Sequence, residues 1–320
     1  MLPRTLGRAG KRTDVRGSAW ILQKPSAALK LYAESMSDAT NSPSDVVTVE
    51  RHGHVAVVWL DRPDKRNAMA PDFWTEFPEI MDELGADASV RAIVIAAKGP
   101  SFTVGLDLMA FGPAVMSGDI AAISGSQSGS EVAKRLNTYK QIKLMQRTFS
   151  SIAENSKPVI AAIHGHCIGA GVDLTTACDI RLAAEDATFS VRETRIAMVA
   201  DVGTLQRLPY IIDPGKVAEL VYTGRDWDAG EALEMGFVSA VHPDATAVLE
   251  AAVAMADQIA ANSPLAVQGS KAVLNAARKS KVNENLDTVA LWNAAFLYSD
   301  DLTEAIQAFI EKRPPDYKGQ

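Results

Sequence analysis

Residues 164 to 201 read HGHCIGAGVDLTTACDIRLAAEDATFSVRETRIAMVAD, a turn of small residues that enters a helix and is followed by spaced carboxylates. Gly169, Ala170 and Gly171 carry little or no side chain, so a ligand atom can come close to main-chain N–H groups at a helix start. Unpaired donors and the helix dipole favour negative charge there, which is how an oxyanion is held. Asp173 lies three residues beyond Ala170, nearly one helical turn on. Glu193 and Asp201 follow at intervals too irregular for one helix, so the three acids meet only if the fold brings them together. IAAIHG and DIRLAAED read as strands, and TFSVRE as a short strand before Glu193. Upstream, VVTVERHGHVAVVWL reads as a hairpin turning through His52, Gly53 and His54. PDFWTEFPEIMDELGAD has helical spacing with Pro71 near its start, and VRAIVIAAKG is a short buried strand ending in Gly99. Strand, loop and helix recur, so the expected class is α/β, built from repeated β-β-α units with crossovers.

A chain of 320 residues with 47% hydrophobic content can bury a large core, and a 22% charged fraction is ordinary for a globular protein. The net charge of −7 gives no basis for a nucleic-acid or membrane surface, so a polyanionic ligand must be met by local cations. Cys167 and Cys178, the two cysteines, have no CxxC or Cys/His ligand spacing and read as buried thiols in a reducing compartment. His164 and His166 flank Gly165 without a third ligand in reach, so no metal is assigned. The third glycine of a GxGxxG turn is replaced by Leu174, and neither a P-loop nor a GxSxG elbow is present. Dinucleotide, nucleotide and serine-hydrolase readings fall away.

Four motifs carry a resemblance: LDRPDKRNAM at Leu60 to Met69, SFTVGLDLM at Ser101 to Met109, KPVIAAIHGHCIGAGVDL at Lys157 to Leu174, and ADVGTLQRLP at Ala200 to Pro209. In order and spacing they resemble the crotonase, or enoyl-CoA hydratase/isomerase, superfamily, from about Val46 to the C-terminus. The resemblance is closest to its dienoyl-CoA isomerase branch. It implies a crotonase spiral with a C-terminal helical trimerisation region, and an acyl-CoA ligand in which coenzyme A is part of the substrate, with no separate cofactor. Matched by motif, the two peptide N–H groups of the oxyanion hole fall at Leu106 and Ala170. Family hydratases carry Glu at the positions matching Asp173 and Glu193 and a small residue at the position matching Asp201. Asp, Glu and Asp here resemble the dienoyl-CoA isomerases, whose second and third acids serve opposite ends of a conjugated system. The segment matching Lys65, Arg66 and Ala68 lies near the adenine and phosphates in the family. The segment matching Phe309 to Pro315, with Lys312, reaches a neighbouring subunit's CoA. Homotrimers, or hexamers made of two trimers, are implied.

Removing a proton beside a thioester builds charge on the carbonyl oxygen, so the reaction needs a base at carbon and donors at oxygen together. A preorganised oxyanion donor is worth about 3 to 4 kcal/mol, and a positioned acid or base roughly a hundred- to ten-thousand-fold in rate. In a 3,5-dienoyl thioester the anion formed at C2 spreads to C6, where a second acid delivers a proton and leaves the 2,4-diene. Glu193 is assigned to C2 and Asp201 to C6, with Asp173 in a charge or hydrogen-bond relation to Glu193. Most carboxylates are solvated surface groups, but Asp201 follows IAMVA and Asp173 sits within GVDL. The alternative enzyme is a 2-enoyl-CoA hydratase, in which Asp173 and Glu193 activate water. A non-catalytic member that binds acyl-CoA is the other class, since fold does not fix function.

The first 35 residues carry seven Lys or Arg against two acids, about +5, leaving about −12 on the remainder. Such a leader resembles a transit peptide, which would place the protein in mitochondria. Met36 followed by SDATNSPSD also reads as a bacterial start, and the Ala-rich body favours that reading and a cytoplasmic protein. Residues 1–45 are therefore expected to be a disordered extension, 46–250 the catalytic spiral and 251–320 a helical oligomerisation region. No apolar run approaches the roughly 20 residues that span a bilayer. The stretch from Gly112 to Ser130, rich in Gly, Ala and Ser, reads as a mobile loop walling the acyl pocket, before a helix from about Glu131 to Asn155. SPLAVQGSKAVL opens a helix at Ser263 and Pro264, and LTEAIQAFIEKRPP closes the chain's last one.

Overall fold

Alternation along the central strands gives the two faces of one sheet different partners. In Ala92–Ala97, Ile93, Ile95 and Ala97 belong to one hydrophobic core while Ala92, Val94 and Ala96 belong to another. Side chains of a strand point alternately to opposite faces, so a fully buried AIVIAA run requires cover on both. The computed structural model describes residues 46–116 and 129–320, with backbone alone for 113–116.

The chain order is β1 (Val47–His52), β2 (Val55–Leu60), α1 (Phe73–Ala86), β3 (Ala92–Ala97), α2 (Leu108–Met116), α3 (Glu131–Glu154), β4 (Val159–Ile163), β5 (His166–Ile168) and α4 (Ala170–Ala177). There follow β6 (Ile180–Ala184), β7 (Thr188–Ser190), a 3-10 turn (Glu193–Ile196), α5 (Thr204–Arg207), α6 (Pro214–Thr223), β8 (Asp226–Asp228), α7 (Ala229–Glu234) and β9 (Ala240–His242). Helices α8 (Ala245–Ala260), α9 (Pro264–Phe296) and α10 (Asp300–Glu311) complete it. One sheet runs β1-β2-β3-β4-β6-β9, antiparallel only at the β1/β2 hairpin, and a smaller sheet runs β5-β7-β8. The chain steps from the large sheet to the small one and back through helices, as β4-β5-α4 and β6-β7 show. This is the α/β spiral of β-β-α units expected from the sequence.

One face of the large sheet is covered by α1, α3 and α4 around Phe73, Trp74, Phe77 and Phe149, whose rings meet at 5.0–6.4 Å between centroids. The other face is covered by α8, which presents Val248, Ala252, Ala256 and Ala260 at four-residue spacing. Three alanines in that row let the helix axis approach the strands closely. The boundary drawn from sequence between residues 250 and 251 falls inside this helix, whose both halves pack on the sheet.

Helix α2 corrects part of the loop expectation, since Gly112 to Met116 are its last residues. Asp107 explains its start: Oδ1 accepts from the N–H groups of Met109 and Ala110, at 3.2 and 3.1 Å, as a capping carboxylate does. Residues 117–128 of that stretch, the leader at 1–45 and the start at Met36 lie outside the described residues. Ser130 caps α3 by accepting from Ala133 N at 3.2 Å. The three-residue strands β5, β8 and β9 escaped the sequence reading because three residues are too few to display alternation. No helix among the described residues is long and apolar enough to cross a membrane.

Candidate active site

The loop after β2 folds back on itself through two left-handed residues, Arg66 and Asn67, with φ of 50° and 56°. Asn67 is the reason this conformation holds, because its side chain is buried and fully used. Nδ2 donates to the carbonyls of Lys98 and Ser101, at 2.9 and 2.8 Å, and Oδ1 accepts from Arg62 N at 2.8 Å. Thr103 then locks the next loop, donating from Oγ1 to Asn67 O at 2.6 Å and accepting from Gly105 N at 3.1 Å. Its backbone bridges to β5, with Thr103 N donating to His166 O and Ile168 N to Thr103 O. Gly105 has φ of +84°, and a Cβ there would lie 2.7 Å from Ile168 O and 3.3 Å from Ala170 N. Only glycine lets the two loops meet so closely.

That meeting aims two peptide groups at one space. Met69 N donates to Gly105 O and Asp107 N to Met69 O, which passes over the N–H of Leu106 between them. Ala170 is the first residue of α4, where the N–H has no intrahelical acceptor. Among the described residues neither N–H has a hydrogen-bond partner, and both residues line the same cavity of about 950 Å³. Two free donors, one at a helix N-terminus, favour an anionic oxygen.

The three acids line this cavity as well. Asp173 is wholly buried in the first turn of α4, and its Oδ1 accepts a short hydrogen bond from Thr204 N, while Oδ2 has no partner. Burial holds its carboxyl above the usual range, opposed by the Thr204 hydrogen bonds and the Arg207 guanidinium. Glu193 opens the 3-10 turn after β7, with Oε2 buried and unpartnered and Oε1 beside Gly169, 3.3 Å from where a Cβ would sit. Desolvation raises it well above an ordinary glutamate, and the charges of Asp173 and then Asp201 push in the same direction. Asp201, half-buried, is pushed up to about 7, by desolvation first, against a lowering hydrogen bond from Asn293 and with a raising contribution from Asp173. Three carboxyls whose environments disfavour charge are suited to hold and pass protons near neutral pH.

The mouth of the cavity is basic. Arg62, Lys65, Arg66, Arg192, Arg195 and Arg313 line it, and Ala68 stands among them. Arg62 pairs with Asp107 at 2.6 Å and Arg192 with Asp226 at 2.7 Å, but among the described residues Lys65, Arg66 and Arg195 have no ion-pair partner. Lys312 stands apart: it is the exposed left-handed residue that ends α10 and does not line the cavity, whereas Arg313 does. Of the C-terminal segment, Phe309, Arg313 and Pro315 line the cavity of this chain. The reason is local, because Arg313 pairs with Glu304 and Glu311 on α10 and Tyr317 donates to Arg195 O at 2.6 Å. Sequence reading missed Arg62, which lies within the LDRPDKRNAM motif, Arg195, two residues after Glu193, and Asn293 and Gln146, which are distant in the chain from the acids.

A continuous apolar chamber of about 290 Å³ begins at Leu106 and Asp201 and is walled by Met145, Met198, Leu297 and Phe309 among others. The fold and site thus define a protein that receives a ligand with an anionic head, a polarisable carbonyl and an apolar tail. The chain belongs to the enoyl-CoA hydratase/isomerase family, whose pattern matches residues 50–320. It is 46% identical over 263 residues to the human mitochondrial delta(3,5)-delta(2,4)-dienoyl-CoA isomerase, covering 81% of this chain and 77% of that one. It is 43% identical over 260 residues to the peroxisomal enzyme of the same name from Arabidopsis thaliana, covering 81% and 90%. Among solved structures, an enoyl-CoA hydratase/isomerase from Pseudoalteromonas atlantica T6c superimposes with a TM-score of 0.72 at 26% identity, over 85% of this chain and all of that one.

Proposed function

We propose that this protein isomerises 3,5-dienoyl-CoA to 2,4-dienoyl-CoA by moving a proton from C2 to C6 through a thioester enolate. The observation that carries the reading is Asp201, a third carboxyl on the cavity that already holds Asp173 and Glu193. A hydratase needs no acid at the far end of the chain, while a conjugated anion delocalised to C6 does. In the proposed mechanism the N–H groups of Leu106 and Ala170 bind the thioester oxygen, and the ionised Glu193 removes a proton from C2. Charge spreads along C2 to C6, and protonated Asp201 gives its proton to C6. The net change moves one negative charge from Glu193 to Asp201, so the protein's total charge is conserved. Asp173 raises the basicity of Glu193 by its proximity, and the Oδ2 and Oε2 atoms of the two carboxyls are both buried without a hydrogen-bond partner.

Lys65, Arg66 and Ala68, with Arg195 and Arg313, are proposed to receive the nucleotide and phosphates of coenzyme A, which enters as part of the substrate; no other cofactor is invoked. Trimers or hexamers are proposed as the working form, supported by the exposed apolar side chains of Leu265, Val273, Leu274, Leu291, Trp292 and Phe296 on α9. The proposed compartment is the cytoplasm, with mitochondria as the alternative if residues 1–35 are a transit peptide. Incubation with a 3,5-dienoyl-CoA, watched for 2,4-diene absorbance, tests the activity. A 2-enoyl-CoA in parallel tests hydration. Hydration without diene formation overturns the reading, and acyl-CoA binding without either turnover supports the non-catalytic class instead.

A further inference from the structure

We propose that Asn293 is a positioning residue that ties down one oxygen of Asp201 and leaves the other as the single proton-carrying atom facing the cavity. The inference rests on the reading of Asp201 as the acid that serves C6.

Asn293 lies on α9, 92 residues from Asp201 in sequence, and its side chain is buried. Both hydrogens of its amide are used: Nδ2 donates to Asp201 Oδ2 at 2.7 Å and to Val199 O at 2.9 Å. An amide nitrogen cannot accept, so a proton on Oδ2 would face another N–H. The proton of a neutral Asp201 therefore sits on Oδ1, for which no partner exists among the described residues and which is not closed off from the cavity. The main chain at this residue is fixed from a second helix. Gln146 on α3 donates from Nε2 to Asp201 O at 2.7 Å and to Leu286 O at 2.9 Å, again with both hydrogens engaged. Side chain and backbone are thus held independently by α9 and α3, which removes the freedom of the carboxyl to rotate and exchange its oxygens.

This arrangement also sets which protonation state is favoured. When Oδ1 gives its proton to the terminal carbon of the dienolate, the O–H bond breaks, a C–H bond forms, and the electron pair stays on Asp201. The hydrogen bond from Asn293 strengthens as that carboxylate forms. The titratable groups on the packed elements are Asp173 on α4, Glu193 on its 3-10 turn, and, behind Gln146, the Lys143–Asp287 pair. There Lys143 Nζ lies 2.9 Å from Gln146 Oε1 and 2.6 Å from Asp287 Oδ1. Asp173 raises Asp201, while the Asn293 donor and, less strongly, the residue's own backbone N–H lower it. Removing the donor moves the titration upward.

The test uses the full chain and two variants, Asn293→Leu, which removes the donor, and Asn293→Asp, which keeps the volume while replacing the amide. The carboxyl of Asp201 is followed by 13C NMR in aspartate-labelled protein, a readout independent of turnover. In Asn293→Leu its midpoint should rise by about one to two pH units, the size of a charged hydrogen bond. It should rise in Asn293→Asp as well. With 3,5-dienoyl-CoA in D2O, both variants should form the 2,4-diene roughly ten- to a hundred-fold more slowly at unchanged KM. Exchange of the C2 hydrogens should persist, because that half of the reaction belongs to Glu193. An unshifted Asp201 titration in both variants overturns the inference, as does loss of C2 exchange in step with diene formation, which marks a general collapse. Failure of the wild type to form diene, with the titration shift intact, overturns the proposed activity and leaves in place only the control of the Asp201 proton by Asn293.

Discussion

Replacing Asp201 by Asn should abolish diene formation and, above neutral pH, make the protein harder to unfold. Asp201 is raised from 3.8 to about 7 in the folded state. An acid whose folded value lies above its unfolded one binds its proton more tightly when folded, so stability is lost as pH rises from the unfolded value to the folded one. At about 1.4 kcal/mol per unit, a shift of roughly three units sets a ceiling near 4 kcal/mol. Because Asp201 opens onto a cavity that water enters, about 1 to 3 kcal/mol is the working expectation. The Asn variant is nearly isosteric, and its own carbonyl oxygen can accept from Asn293 Nδ2 as the carboxylate does. Urea unfolding of both proteins at intervals from about pH 3 to 8.5 should give curves that coincide at the acid end. They should separate through about pH 4 to 7 and run parallel above. A difference in stability that does not vary with pH would falsify the argument that desolvation and neighbouring charge dominate at this residue. Binding of a saturated acyl-CoA should be unchanged, since Asp201 lies beyond the thioester.

Gly105→Ala should lower diene formation at least a hundred-fold, because a Cβ 2.7 Å from Ile168 O must push apart the loops that present the Leu106 and Ala170 N–H groups. Wild-type kcat from that variant removes those groups from the mechanism. Arg195→Ala should raise KM about three- to thirty-fold for CoA thioesters and leave turnover of a short pantetheine thioester unaltered, since this cation has no ion-pair partner among the described residues. An equal effect on both substrates would refute a phosphate role. Trp292→Glu, on the exposed face of α9, should convert the assembly to smaller species on size exclusion with multi-angle scattering. A wild type that already elutes as a monomer would dispose of the oligomer proposal.

How much of this was legible in the chain follows from where each signal is written. The β1/β2 hairpin, the buried run of β3 and the turn into α4 carry their pattern within a dozen residues, and each lies where the sequence put it. The same holds for Asp173 and Ala170, which are one helix turn apart on α4. Strands β5, β8 and β9 were illegible because local pattern needs length, and Gly112 to Met116 were misread as loop because glycine and proline weigh more in composition than an Asp107 cap does. Asn293 and Gln146 were illegible for a different reason. Their partners lie on other elements, and no spacing rule relates Asn293 to Asp201 across 92 residues. Long-range polar contacts are specified by the packing of α3 and α9 against the spiral, which appears only once the fold is built.

The cost of that packing argues for the direction of the chemistry. Three acids held away from water oppose folding, and each lacks the ion pair that would relieve it. The relief is distributed unequally. Asp201 receives a side-chain donor from Asn293, while Glu193 has a buried oxygen with no partner and two neighbouring carboxyls that raise it. A negative charge is therefore more comfortable on Asp201 than on Glu193, so transfer from C2 to C6 runs with the electrostatic gradient of the site. If the gradient matters, the deuterium-labelled reaction should show slower wash-out at C6 of the 2,4-diene, where Asp201 is the base, than at C2 of the 3,5-diene, where Glu193 is. Reversing the gradient with Asn293→Asp should bring the two rates together. Equal wash-out rates in the wild type would mean that the asymmetry of the carboxyls has no kinetic consequence.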